Sequence, residues 1–215
     1  DAKAMVRMSE KTDRILSIGH QRHYSTLYHD ALKTVDSGVL GTVKYIRALW
    51  HRNNTYVDKN GVMQDSWKPP VPDDDKAVNA QNYGYKSVEE LVRWRLYNRT
   101  GAGLMAELGS HQLDACSIFL GKAHPLAVTG IGGTFFYKDG REVDDHVFTT
   151  FEFPAADDPE KGRVVVTYSS INTNSFPGSP LNYGEMVMGS RGTMIVAGEE
   201  EILLYKELDP NNYKG

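Results

Sequence analysis

Arg163-Val-Val-Val-Thr-Tyr-Ser-Ser-Ile171 alternates in polarity, with Val164, Val166 and Tyr168 on one side and Arg163, Thr167 and Ser169 on the other. A period of two marks a strand with one buried and one exposed face. The same reading extends outward. Ala127–Tyr137 and His146–Phe153 precede this strand, and Tyr183–Gly189, Thr193–Ala197 and Ile202–Lys206 follow it. Lys138-Asp-Gly140 and Gly189-Ser-Arg-Gly192 are turn sequences of hairpin length. Further upstream, Val43–His51 is rich in β-branched and aromatic residues and reads as one more strand.

Helical patterns dominate the first half. Ser25–Ser37 carries the stripe Leu27, Ala31, Leu32 and Val35, with Ser25 in a capping position and Gly38 just past the end. Ser87-Val-Glu-Glu90 is a capping box that opens a short helix to about Trp94. A longer helix runs from about Gly103 to Leu120 and closes at Gly121. Helices followed by consecutive strands define an α+β fold, a two-layer domain with a largely antiparallel open sheet packed on helices.

The opening residues fit this scheme less well. Ala2, Met5, Val6 and Ser9 share a helical face, and Arg14-Ile-Leu-Ser-Ile-Gly19 reads as a short strand closed by glycine. A helix leading into such a strand resembles the last step of a parallel sheet, whose other strands would lie before residue 1. Residues 1–19 are therefore set apart from a domain spanning 20–215. Asn53–Lys86, crowded with Asn, Asp, Gly and Pro, is too long for a plain connection. Its aromatic residues Tyr56, Trp67, Tyr83 and Tyr85 give it something to pack, so an ordered loop over the site is expected.

Composition narrows the function. Of the 215 residues 40% are apolar, enough for a substantial core, and the net charge is −4. Neither a basic surplus nor a lysine- and arginine-rich block points to nucleic acid or to a membrane surface. The apolar runs fall far short of the roughly 20 residues of a membrane span. One cysteine, Cys116, allows no disulfide within the chain, leaving the compartment open, with the cytoplasm favoured.

Three clusters carry candidate chemistry. In Gly101-Ala-Gly-Leu-Met-Ala-Glu107-Leu-Gly-Ser-His111-Gln-Leu-Asp114, Glu107 and His111 stand one helical turn apart, and Asp114 follows on the same side. A carboxylate beside an imidazole can orient the ring and raise its basicity, and histidine titrates near neutral pH. An ion pair on a helix surface would give the same spacing. The small residues Gly101, Ala102, Gly103 and Gly109 would let another backbone or a ligand approach. Second, Gly19-His-Gln-Arg-His-Tyr24 follows the Arg14–Gly19 segment directly. Polar side chains at a strand end suit a polyhydroxylated or charged ligand, with Gln21 hydrogen bonding and Arg22 clamping an anion. Third, Trp94 and Arg95 lead into the long helix, where an arginine beside an aromatic ring can stack on a sugar or meet a phosphate. No metal site is expected, because one histidine and one glutamate without a third ligand make a weak case for zinc. The acidic runs Asp73–Asp75 and Glu199–Glu201 read as solvated.

Together these pieces resemble the Gfo/Idh/MocA family of oxidoreductases over nearly the whole chain. The resemblance rests on Gly19-His-Gln-Arg22, on Ser37-Gly-Val-Leu-Gly41-Thr-Val-Lys, and on Gly189-Ser-Arg-Gly-Thr193. Its specific part is Gly101-x-Gly-x3-Glu107-x-Gly-x-His111-x2-Asp114. The resemblance implies an N-terminal Rossmann domain binding NAD or NADP, of which residues 1–19 would be the last helix and strand. Residues 20–215 would be the C-terminal domain that binds substrate and builds homo-oligomers through its open sheet. It implies oxidation of a sugar, cyclitol or related polyol hydroxyl, or reduction of the ketone. His111 matches the family's general acid/base, and Glu107 matches a position more often held by Asp. The family's third site residue, a lysine in Glu-Lys-Pro, has no counterpart here, and neither does a Gly-x-Gly-x-x-Gly turn, since Gly130-Ile-Gly-Gly133 sits in a strand pattern. The fragment alone is accordingly expected to bind no dinucleotide and to be inactive. Two alternatives share the fold: an NAD-dependent glycosidase, and a non-catalytic binding or assembly module.

Overall fold

The computed structural model describes residues 2–177, 179 and 181–208. Helix α1 (Ala2–Thr12) opens the chain, followed by an extended segment, a 3-10 turn at Gln21–Tyr24, α2 (Thr26–Asp36) and β1 (Val43–His51). A small hairpin, β2 (Thr55–Val57) and β3 (Met63–Asp65), precedes α3 (Val88–Val92). The long helix then splits into a π-helical turn, Met105–Gly109, and α4 (Ser110–Phe119). Six strands close the fold: β4 (Ala127–Gly133), β5 (His146–Pro154), β6 (Arg163–Ile171), β7 (Tyr183–Gly189), β8 (Gly192–Ala197) and β9 (Glu201–Lys206).

Seven strands make one open sheet in the order β4-β5-β6-β1-β7-β8-β9. Every neighbouring pair is antiparallel except β1 and β6, which run parallel with Ala48 opposite Tyr168. The α+β, two-layer architecture is as expected. The alternation quoted at the outset is realised, since Val164, Val166 and Tyr168 are buried while Arg163 and Val165 are exposed. They pack with Ile46, Ala48, Val187, Met194 and Val196 beneath Tyr28 and Ala31 of α2 and Ala115, Cys116 and Phe119 of α4. At roughly 25 cal/mol per Å2 of apolar surface, this single-faced core is the main source of stability. The other face of the sheet has no helix on it, and Ile131, Phe148 and Tyr205 are exposed there.

Three expectations are corrected. Arg14–Gly19 forms no strand: Ile15, Leu16 and Ile18 are exposed and extended, and α1 buries no residue. An apolar run becomes a strand only when a neighbour completes its hydrogen-bond ladder, and no described strand does so. β4 stops at Gly133 rather than at 137, because the amides of Phe135, Phe136 and Tyr137 turn to the buried Asp145 carboxylate, at 2.9, 2.9 and 2.8 Å. The helix opened by Ser87 ends at Val92, with a 3-10 turn over Trp94–Leu96. Its cap is as read, with Ser87 accepting from the Glu90 amide, whereas Ser25 holds the cap position of α2 without a side-chain bond.

The long loop packs mainly through Trp67, with half-buried Tyr85 under the Arg99 guanidinium at 5.1 Å. Trp67 is buried against Leu96, Leu104, Leu108 and Val143, under the first turns of the long helix. Tyr56 and Tyr83 remain exposed. No helix among the described residues is long and apolar enough to cross a membrane.

Candidate active site

The site lies where β1 ends and β7 begins. Trp50 and Tyr183 are register partners across that pair, and their rings stack at 4.8 Å between centroids. The long helix delivers His111 beside this wall, 5.6 Å from the Trp50 ring and 4.5 Å from that of His20. The turn at Gln21–Tyr24 supplies the next contact: His111 Nδ1 and Gln21 Oε1 are 3.0 Å apart. Gln21 Nε2 donates in turn to Glu199 Oε1 at 3.1 Å. His20 and His23 share Asp114, at 3.7 and 2.8 Å. No cluster of three or more His, Cys, Asp or Glu side chains is arranged to hold a metal among the described residues.

The anticipated Glu107–His111 pair does not form. Glu107 Oε1 meets Arg95 Nε at 2.6 Å, and no ion pair or hydrogen bond joins Glu107 to His111 among the described residues. The cause is the π turn. Its bonds span five residues instead of four, so the register that would stack positions 107 and 111 is lost in that segment. Arg95, lying 4.4 Å over the Trp94 ring, also offers a fixed charge, which neutral His111 does not. Trp94, Arg95 and Glu107 thus form a second, half-exposed cluster on the same helix start.

Arg22 is corrected more sharply. It is fully buried and cannot clamp a ligand from solvent. Its Nε donates to the Tyr28 hydroxyl at 2.9 Å and lies 4.0 Å from Glu185, and its Nη2 lies 2.8 Å from Glu199. Burial by itself would lower the Arg22 pKa, but Glu185, Tyr28 and Glu199 outweigh it and the net shift is upward. Glu185 receives the Tyr28 hydroxyl at 2.7 Å and Gln112 Nε2 at 2.8 Å. Burial pushes its carboxyl up to about 7, against the pull of Arg22 and Tyr28. Pairing in this buried network is incomplete: Arg22 Nη1 and Gln112 Oε1 have no hydrogen-bond partner among the described residues.

Sequence reasoning missed Glu185, Tyr28 and Gln112, and it placed Glu199 in solvent. One signal was present. In Tyr183–Gly189 the inward positions are Tyr183, Glu185 and Val187, so a carboxylate stands on the core side of a period-two pattern. Glu199 had no such signal, because its role depends on the β8–β9 turn, where its φ is 61°. The small residues of the long helix admit the protein's own atoms. A Cβ at Gly101 would lie 2.6 Å from the Arg95 carbonyl oxygen, and one at Gly109 would crowd Tyr168 and Met105.

His111 is held mainly neutral. Burial lowers its pKa first, the charges of His20 and Arg22 add to this, and Glu199 and Asp114 oppose it. Among the described residues nothing hydrogen-bonds its Nε2. The glycines Gly130-Ile-Gly-Gly133 do not cradle a dinucleotide. They lie in edge strand β4, where a Cβ at Gly130 would meet Thr149 and the Phe148 carbonyl oxygen. Separately, a groove of about 970 Å3 between α2, the end of α4 and Arg191 contains none of His111, Glu107, Gln21, Arg22, Trp94 and Arg95.

An open, one-sided sheet with a histidine-bearing helix at the strand ends defines an α+β domain whose polar site is walled by aromatic residues. Residues 76–195 match the model of the GFO/IDH/MocA C-terminal domain, and the chain belongs to that family. Solved structures agree on the fold. An inositol dehydrogenase homolog from Azotobacter vinelandii, complexed with NAD+, matches with a TM-score of 0.63 at 15% identity, over 97% of this chain and 46% of its own. An aldose-aldose oxidoreductase from Caulobacter crescentus, complexed with glycerol, matches with a TM-score of 0.60 at 18% identity, over 96% of this chain and 49% of its own. A levoglucosan dehydrogenase complexed with NADH and levoglucosan matches with a TM-score of 0.55 at 14% identity, over 89% of this chain and 43% of its own. The chain therefore spans less than half the length of each. A search of curated proteins gives no match.

Proposed function

We propose that this chain is the substrate-binding half of an NAD(P)-dependent oxidoreductase acting on a sugar, cyclitol or related polyol, with His111 as the general base. The observation that carries the reading is the geometry of His111: engaged at Nδ1, without a partner at Nε2 among the described residues and walled by Trp50, with its pKa lowered chiefly by burial. A neutral imidazole nitrogen at the edge of an aromatic wall suits removal of a proton from a hydroxyl on an apolar-faced sugar ring. Arg95 and Glu107, fixed on each other beside Trp94, offer donors and acceptors for neighbouring hydroxyls.

On this proposal the dinucleotide is held by a domain outside the chain and supplies the hydride acceptor. Residues 1–19 would be the last helix and strand of that domain, and 20–215 the substrate domain. The exposed run Ile15, Leu16 and Ile18 supports this division, since burying the three would contribute about 5 kcal/mol. Homo-oligomer formation through the uncovered sheet face belongs to the same proposal, supported by exposed Ile131, Phe148 and Tyr205. The fragment alone would be inactive. The deciding experiment is His111→Ala in the longer protein that carries the cofactor domain, assayed with NAD and NADP against a polyol panel. A fall in turnover of roughly 10²- to 10⁴-fold is expected. Undiminished turnover would remove His111 from the mechanism.

A further inference from the structure

We propose that Glu199 and Gln21 form a positioning relay that fixes His111 as its Nδ1–H tautomer and leaves Nε2 bare. The inference rests on reading His111 as the base and names what keeps it ready.

The argument follows from which atoms can donate. A carboxylate only accepts hydrogen bonds, so the Gln21 atom 3.1 Å from Glu199 Oε1 must be the amide nitrogen. The Gln21 carbonyl oxygen then faces the other way, toward His111 Nδ1 at 3.0 Å. A carbonyl oxygen also only accepts, so Nδ1 must carry the proton. A neutral imidazole has one N–H, and Nε2 is therefore an acceptor.

Gln21 alone could not enforce this. It is exposed, and an amide turned by 180° would present its nitrogen to His111 and favour the opposite tautomer. Glu199 removes that option, and Glu199 is itself pinned. Arg22 Nη2 lies 2.8 Å from it, and fully buried Arg22 is tied to Tyr28 and Glu185 inside the core. The other ionisable groups facing His111 are engaged elsewhere: Asp114 lies against His20 and His23, and Arg22 Nη2 lies against Glu199. Orientation set inside the core is thus relayed through one surface glutamine to the imidazole, a common arrangement for fixing a tautomer through the ring's second nitrogen.

The relay is tested on the 15N-labelled 215-residue chain by long-range 1H–15N correlation of the His111 ring, assigned by its loss in His111→Ala. At a pH above its titration, wild-type His111 should show a protonated Nδ1 and a bare Nε2. Gln21→Leu, on an exposed side chain, should lower the Nδ1–H to Nε2–H ratio roughly five- to tenfold, the equilibrium worth of one hydrogen bond. Glu199→Ala should lower it through a freed amide, and Glu199→Gln, which keeps an acceptor oxygen, should restore part of it. Protonation of wild-type Nε2, or an unchanged ratio in Gln21→Leu, overturns the relay. A response to Gln21→Leu without one to a folded Glu199→Ala removes Glu199 from it. The readout needs no turnover, so the relay and the assignment of His111 as base fail separately: the first by tautomer, the second by full activity of His111→Ala.

Discussion

Replacing Glu185 by glutamine should flatten a pH dependence of stability that one buried carboxyl imposes. Glu185 is fully buried, and its carboxyl is pushed up to about 7 from the usual value near 4.5. The native state therefore holds a proton that the unfolded chain gives up. Its contribution is fully present below about pH 4.5 and is lost as pH rises toward and through about 7. At about 1.4 kcal/mol per pH unit, the window is worth about 3 kcal/mol. Glutamine cannot ionise, so Glu185→Gln removes this loss. Its own cost is one strained contact, since the new amide must present its NH2 either to the Tyr28 hydroxyl or to Gln112. Below pH 5 the variant should be equal to the wild type or weaker, and above pH 7 it should gain on the wild type by about 3 kcal/mol relative to that starting point. Other groups have opposing slopes. His111 and His51, both lowered chiefly by burial, add stability as pH rises, but they contribute to both proteins and cancel in the difference. Urea unfolding at intervals between pH 4.5 and 8 would read it as a relative midpoint shift of about 1.5 M for a slope near 2 kcal/mol/M. Parallel midpoint-against-pH curves for the two proteins would refute the argument, because they would mean that Glu185 releases its proton at the same pH folded and unfolded.

Asp145→Ala should cost about 3 kcal/mol or more in urea or thermal unfolding, because the amides of Phe135, Phe136 and Tyr137 would lose a shared charged acceptor in a buried place. A loss below about 1 kcal/mol would show that water replaces the carboxylate without difficulty. If the chain assembles through the uncovered face of the sheet as proposed, Phe148→Lys should leave the fold intact and lower the mass in sedimentation velocity; an oligomer of unchanged mass, or a monomeric wild type, would count against that face as an interface.

The sheet was legible in the sequence because only one of its faces is covered. Covering one face enforces alternation, and β1, β6 and β7 begin and end at the residues where the pattern does. Alternation fails as a guide where the chain's hydrogen bonds leave the ladder. Residues 134–137 keep strand-like composition, yet three of their amides turn to Asp145. Arg14–Gly19 fails for the converse reason, since composition can suit a strand but cannot supply its neighbour.

The site was legible residue by residue but not contact by contact. His111 and Gln21 were both named from the sequence, and the structure joins them across ninety positions. The partner assigned to His111 was wrong because helical spacing assumes a uniform helix. The π turn over Met105–Gly109 has no local sequence signal, and it holds Gly109 where a Cβ would crowd the Tyr168 ring and the Met105 side chain. Once the turn is displaced, Glu107 goes to Arg95, and His111 must find its orienting group elsewhere. The group it finds is anchored by Arg22, a buried side chain that also lies 4.0 Å from Glu185 of β7. Chemistry-bearing residue types are therefore visible in a sequence wherever spacing is conspicuous, whereas the state of each one, charged or neutral and one tautomer or the other, is decided by partners that only the fold brings into hydrogen-bond distance.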